Sequence, residues 1–214
     1  MSSTDTSFIA SSVYLSELLG NAERGKLQLP DFQRGWVWDE ERIRGLIASI
    51  SRGFPVGAVM TLRTGGGVTF KPRPVEGAPA SAAEVPPDSL LLDGQQRLTS
   101  LFQTLKQSNP VATVTTRGKR VNRWFYLDME KCLDDSCDRE DAVVIVPEPR
   151  KVTSNFGRTV ELDVTTAEKE YAARLFPLNA VLDASAWRSG FVMSQGQEKM
   201  SESFLLWDQF ENRI

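Results

Sequence analysis

LLLDGQQRLTSLFQTL fills residues 90–105, and the order of residue types along it decides how the fold is read. Three leucines at 90–92 read as a buried strand. Leu98, Leu101, Phe102 and Leu105 then follow the i, i+3, i+4, i+7 spacing of a helix with one apolar face. Strand, turn and helix form a single unit, with the polar string DGQQR at its joint. A turn that leaves a strand and opens a helix presents free backbone N–H groups and a dipole favourable to an anion. Gly94 lets a ligand come close to the backbone, and Arg97 offers a fork of donors suited to phosphate oxygens. Asp93, at the strand's end, is placed to hold Mg²⁺ through water, and Gln95 and Gln96 add neutral donors and acceptors. Two readings fit: a small phosphate-handling site, or a capped helix whose Asp93 accepts N–H groups while Arg97 pairs with a carboxylate elsewhere. The chain has no Walker pattern, and the GGG at 65–67 lacks strand–helix context, so nucleotide hydrolysis here would be of a non-P-loop kind.

A second constellation is PDFQRGWVWDEE, residues 30–41. Pro30 and Asp31 set a turn, Gln33 and Arg34 supply planar hydrogen-bonding groups, and Phe32, Trp36 and Trp38 supply flat apolar faces. Amide, guanidinium and aromatic rings side by side suit a nucleobase or a sugar–phosphate backbone. Core placement of Trp36 and Trp38 beside the helix that follows is the alternative. A third stretch, RGKRVNR at 117–123, concentrates Arg117, Lys119, Arg120 and Arg123. It reads as a phosphate-contacting patch or as a solvated loop or edge. With a net charge of −3 the whole-protein field would not steer nucleic acid, so any phosphate binding must come from such local clusters.

The 214 residues contain no histidine, which excludes Ser-His-Asp and Cys-His nucleophile pairs and histidine-ligated zinc within them. Acid–base chemistry near neutral pH then falls to a carboxylate or a bound metal ion. Two cysteines, Cys132 and Cys137, cannot supply a four-ligand metal site and read as free thiols of a reducing cytosol. No stretch approaches the ~20 apolar residues of a membrane span, and a soluble cytoplasmic protein is expected.

Along the chain, 12–19 predicts a helix ending at Gly20, 27–29 a short strand, and 39–53 a helix started by Asp39 and stopped by Gly53 and Pro55. A strand is expected at 56–62. From Thr64 to Ser89, glycines, prolines, alanines and serines predict an excursion holding at most a short hairpin. Beyond Pro110, VATVTT, NRWFYLDM, AVVIV and TVELDV read as strands. TTAEKEYAARLFP reads as a helix capped by threonine and closed by Pro177, and the tail SESFLLWDQFENRI looks helical.

The strings PDFQRGWVW, FPVGAVMTL and LLLDGQQRLTSLFQTL together resemble the N-terminal domain of GmrSD-like, modification-dependent restriction enzymes, and of SspE-type antiphage proteins that sense DNA phosphorothioation. The match covers residues 12–110 well, with RLFPLNAVLD at 174–183 a weaker continuation. The resemblance implies an α+β fold with a ParB/sulfiredoxin-like core, a mixed sheet and packed helices. It implies nucleoside triphosphate hydrolysis stimulated by, or coupled to, recognition of modified double-stranded DNA in phage defence, for which the carboxylate of Asp93 makes Mg²⁺ the expected cofactor. Asp93, Gln96 and Arg97 would then be catalytic, Gly94, Gln95, Gln96 and Arg97 would bind nucleotide, and Asp93 would hold the metal. Phe32, Gln33, Arg34, Gly35 and Trp36, with Arg117, Lys119 and Arg120, would contact DNA. The expected organisation is a disordered stretch at 1–11, the sensing domain at 12–200, and a linker helix from 201 toward a separate C-terminal nuclease domain. Without histidine, this chain is not expected to cut DNA. The rivals are a DNA sensor without turnover and a carboxylate-only, metal-assisted nuclease.

Overall fold

A computed structural model describes residues 9–66, 70–194 and 196–214. Most of the stretch expected to be disordered, residues 1–8, lies outside the described part, as does Gly67 of the triple glycine. The fold is mixed α+β, as expected.

The first layer is a mixed four-stranded sheet in the order β2 (Met60–Arg63), β4 (Ser89–Asp93), β1 (Leu27–Pro30), β3 (Pro72–Arg73). β1 and β4 run parallel, while β2 and β3 are antiparallel to their neighbours. Leu27, Leu29, Leu90 and Leu91 are buried, as apolar runs in parallel strands require. Three helices pack here: α1 (Leu15–Glu23), α2 (Glu40–Ser51) and α3 (Gln95–Leu105). Asp39 accepts from the Arg42 N–H at 2.9 Å and starts α2, whose Ile43, Leu46 and Ile47 enter the core. α1 runs through Gly20 to Glu23, because Leu19 and Ala22 on either side of the glycine are both fully buried. Packing outweighs the single unfavourable residue.

The excursion at 64–89 is more integrated than its composition suggests. β3 adds to the edge of β1, and Val75 and Ala82 are buried. The two N–H groups of the Gln28 amide are shared among three carbonyl oxygens, of Gly25, Ala82 and Val85, which lie 2.8–2.9 Å from Nε2. Without hydrogen-bond partners a buried amide would be costly, so Gln28 and this segment depend on each other.

The second sheet is antiparallel and centred on β6 (Arg120–Asp128). β7 (Val143–Pro147) lies along one edge, with β5 (Val111–Val114) and β10 (Leu175–Pro177) in succession along the other. A two-stranded ribbon, β8 (Lys151–Ser154) and β9 (Thr159–Asp163), follows β7. Short helices α4 (Met129–Leu133) and α5 (Arg139–Ala142) link β6 to β7. α6 (Ala167–Ala173), α7 (Ser185–Ser194) and α8 (Met200–Glu211) complete the chain. α6 stops at Arg174, which takes a left-handed conformation, and Pro177 instead ends β10. The tail helix is α8, and its Trp207 and Phe210 pack on Phe176 in the main core at ring separations of 5.4 and 5.5 Å. α7 has no counterpart among the elements read from the sequence, although its Trp187 and Phe191 are buried.

Candidate functional site

Pro30 ends β1, so the outer carbonyls of β4 lose their strand partner. The Gln33 side chain takes over, its Nε2 donating to the Leu91 and Leu92 carbonyls at 2.7 and 2.9 Å. From this point the loop of residues 33–39 crosses the start of α3. Gln95 Nε2 donates to the Arg34 carbonyl at 2.6 Å, and Gln96 Nε2 to the Gly35 carbonyl at 3.2 Å. Gln96 Oε1 accepts from the Val37 N–H at 2.9 Å. Trp36 Nε1 donates to Ser100 Oγ one turn further along α3 at 3.0 Å. The two polar strings of the sequence are therefore one structure, in which three glutamine amides fasten the QRGW loop to the DGQQR turn.

Arg73 and Glu76 secure the same loop from below. Arg73 donates to the Gln33 and Arg34 carbonyls, and Glu76 accepts from Arg73 at 2.8 Å and from the Trp36 N–H at 3.2 Å. Sequence reading missed both residues, since they lie in the stretch whose composition looked like an excursion. Gln33 Oε1 and Glu76 Oε2 are buried acceptors without a partner among the described residues.

Asp93 does not cap the helix. Its carboxylate is 71% exposed, and among the described residues no side chain caps α3. The first N–H groups of that helix are thus left with the favourable end of its dipole. Gly94 makes the turn with φ of 91°, where a Cβ would meet Val59 Cγ2 at 3.3 Å. Arg97 is only 22% exposed and is largely engaged with the protein. It donates from Nη1 to the Val56 carbonyl and from Nη2 to the Ala58 carbonyl at 2.9 Å, and lies 3.4 Å from Asp93. Gly57 fits beneath it with φ of 95° because a Cβ there would stand 2.2 Å from Nη1. Arg34 is exposed on the loop that Gln95 holds, and Phe32 packs edge-on against Phe70 at 5.1 Å.

The far side of the loop faces β5 and β6. Thr113 Oγ1 donates to the Trp38 carbonyl at 2.7 Å, and Asp39 bridges Val114. An open groove of about 720 Å³ runs there, with Trp36, Val37, Trp38 and Val121 along its apolar part, Lys119, Arg120 and Arg123 as its cations and Glu148 as its acid. Trp36 and Trp38 are half-buried, each packed on the core with an edge left to the groove. The structure thus brings Trp36 together with Lys119 and Arg120, which lie about eighty positions away in the chain. Arg117 is exposed in the β5–β6 turn and does not line the groove. Arg123 is committed to an ion pair with Glu40 at the start of α2.

Both cysteines are free. They line a separate recess of about 470 Å³ with Arg52, Lys131 and Arg139. Burial pushes the Cys132 thiol up, opposed by Arg139 beside it. Among the described residues no cluster of three or more His, Cys, Asp or Glu side chains is close enough to hold a metal, and no helix is long and apolar enough to cross a membrane.

A loop fastened by amides between an uncapped helix start and a cationic groove defines this as an α+β domain with two adjoining polar surfaces. The chain belongs to the family of the N-terminal domain of GmrSD restriction endonucleases, whose family model matches residues 15–185. It is therefore a restriction-system domain. It is also similar to the uncharacterized protein MJ0686 of Methanocaldococcus jannaschii, at 32% identity over 128 residues, which is 58% of this chain. Those residues span 21% of that longer protein.

Proposed function

We propose that this domain binds a nucleoside triphosphate at the start of α3 and senses modified double-stranded DNA, phosphorothioated DNA first among the candidates, in the groove of Trp36, Lys119 and Arg120. One observation carries the reading. The loop of residues 33–39 is hydrogen-bonded to the DGQQR turn on one side and lines the groove on the other. A duplex that displaces the loop would change the hydrogen bonds of Gln95 and Gln96. That is a physical route for coupling.

The residues at the turn fit a nucleotide and its metal. The N–H groups of Gln95, Gln96 and Arg97 at the uncapped start of α3 supply donors for phosphate oxygens, and Gly94 keeps the approach clear. Asp93, exposed at the strand's end, would hold Mg²⁺ through one carboxylate, with water and phosphate oxygens filling the remaining positions, and the ion would neutralise phosphate charge. Gln96 orients water once its amide leaves Gly35 and Val37. Arg97, tied to Val56, Ala58 and Asp93, fixes the carboxylate, and its remaining N–H groups stabilise charge at the phosphates. Arg34 adds a guanidinium from the loop. In the groove, a phosphorothioate sulfur is larger and less strongly hydrated than oxygen, which suits the apolar stretch of Trp36, Val37 and Val121. Lys119 and Arg120, with Arg117 nearby, contact the backbone phosphates. The ParB/sulfiredoxin-like core implied by the resemblance belongs to this reading, as do cytoplasmic location and a linked nuclease domain.

The engagement of Arg97 with protein carbonyls favours a second reading, a DNA sensor of the same fold without turnover. Phosphate release from ATP, GTP, CTP and UTP, with and without phosphorothioated duplex, separates the two. We expect release that rises with modified DNA and falls on the order of a hundredfold in Asp93→Ala. No release under any condition, or equal rates in wild type and Asp93→Ala, leaves only the sensor.

A further inference from the structure

The β8–β9 ribbon carries Phe156 at its tip, and nothing among the described residues uses that side chain. Phe156 is 107% exposed, and among the described residues no ring packs on it. Its backbone is left-handed, with φ of 56°, between Asn155 at 50° and Gly157 at 83°. A left-handed backbone is unfavourable for a non-glycine residue, and an aromatic side chain in water returns none of that cost. The tip is nonetheless tied in place: Asn155 Nδ2 donates to Thr159 Oγ1 at 3.1 Å, and the Arg158 N–H donates to the Asn155 carbonyl at 3.2 Å. At the root, Val152 and Leu162 pack on the second core cluster of Tyr126, Val146, Val164 and Leu175. A ribbon held at both ends thus displays an aromatic ring to solvent.

Its position relates it to the groove. Glu148 lines the groove, bonded to Asn122 at 2.7 Å, and β8 begins three residues later. Arg150, at the root, lies over the Trp124 ring at 3.8 Å. Arg120, Asn122 and Trp124 alternate onto one face of β6, so the groove's cation and the ribbon's root are separated by roughly 13 Å, about four base steps. Between Val152 and Val160 the tip carries Arg158 and no acidic residue. The ribbon as a whole sets Lys151 and Arg158 against Glu161 and Asp163, so what the tip itself offers a polyanion with stacked flat groups is one guanidinium and one exposed ring.

Building on the DNA-sensing reading, we propose that the β8–β9 tip is a DNA wedge: Phe156 inserts at a base step of the duplex held in the Trp36–Lys119–Arg120 groove, with Arg158 on the adjacent phosphate. Aromatic wedges that partly unstack a step let a protein contact a bent duplex more extensively.

The test uses the full chain and phosphorothioated duplexes carrying 2-aminopurine at successive positions, since that base brightens when unstacked. Wild type is expected to raise the signal at one or two neighbouring positions. Phe156→Ala should abolish the rise and weaken binding roughly tenfold, whereas Phe156→Trp should keep both. Because the side chain is exposed, the thermal midpoint of Phe156→Ala should equal that of wild type. Binding that is lost in Arg120→Glu but indifferent, in affinity and in 2-aminopurine signal, to Phe156→Ala overturns the wedge and keeps the groove. A wild-type chain that binds no duplex overturns both. Phe156-dependent attachment to anionic lipid vesicles without duplex unstacking assigns the tip to a membrane surface and also overturns the proposal.

Discussion

Around Glu170 and around the DGQQR turn, polar side chains tie distant segments together, yet the two assemblies leave different remainders. Glu170 is buried and accepts from Trp187 Nε1 at 3.0 Å, Tyr126 Oη at 3.2 Å and Arg150 Nη1 at 3.3 Å. Its partners come from β6, the β7–β8 turn and α7, and all of them are consumed within the protein. At the turn, Gln33, Gln95 and Gln96 bind backbone groups, while Asp93, Arg34 and the uncapped start of α3 are left to solvent. A polar network that satisfies itself specifies packing. One that holds a loop and leaves charged groups over is available for a ligand.

The contrast is sharpest at Glu170, where the largest effect is expected. Glu170→Ala leaves Arg150, Tyr126 and Trp187 without their acceptor and should destabilise by roughly 3 kcal/mol in urea titration. A loss below about 1 kcal/mol would show that the network is not structural. Next comes Gly57→Ala, which combines a positive φ with a Cβ against Arg97. We expect roughly 2 kcal/mol of destabilisation, with a matching fall in nucleotide affinity if Arg97 positions Asp93. Unchanged stability would mean that Arg97 readily finds another place.

Gln95→Ala should cost about 1 kcal/mol, because the Arg34 carbonyl loses one donor and keeps that of Arg73. Its functional effect should be larger: the response of phosphate release to DNA disappears while basal nucleotide binding persists. If the DNA response survives, the loop is not the link.

A subtler effect is the pH dependence of stability. Burial pushes the Glu170 carboxyl above its ordinary value of 4.5, against the opposing hydrogen bonds of Trp187 and Tyr126 and the charge of Arg150. The folded state then retains this proton to higher pH than the unfolded chain. Its contribution is therefore fully present below 4.5 and is lost as pH rises through the folded value. Glu170→Gln should remove that fall from the difference between denaturation curves measured upward from pH 4.5; identical slopes would place the carboxyl at its ordinary value. The smallest effect on stability is expected at Arg120→Ala, within ~0.5 kcal/mol, although it should lower the salt slope of DNA binding by about one.

Much of this was legible in the chain itself. α2 and α3 announce themselves by their apolar spacing, and the strands after Pro110 by their β-branched and aromatic content. Where the reading diverged, a tertiary contact had overruled a local signal. Gly20 did not end α1 because buried leucine and alanine flank it, and 64–89 is integrated because Gln28, Val75 and Ala82 bind it to the core. α7 was missed: its short apolar pattern, built on Trp187 and Phe191, makes sense only against Phe176 and Trp207.

At the candidate site the sequence singled out the right strings but could not say how their groups are spent. Residue types and spacing alone determined α2 and α3, the absence of histidine chemistry and the resemblance carried by QR and DGQQR. Only the tertiary structure decided that Gln95 and Gln96 grip a loop sixty residues away, that Arg97 turns to carbonyls, and that Lys119 and Arg120 share a groove with Trp36. The reason is that a hydrogen bond or a groove depends on direction and distance between segments remote in the chain. Local propensity carries no information about either.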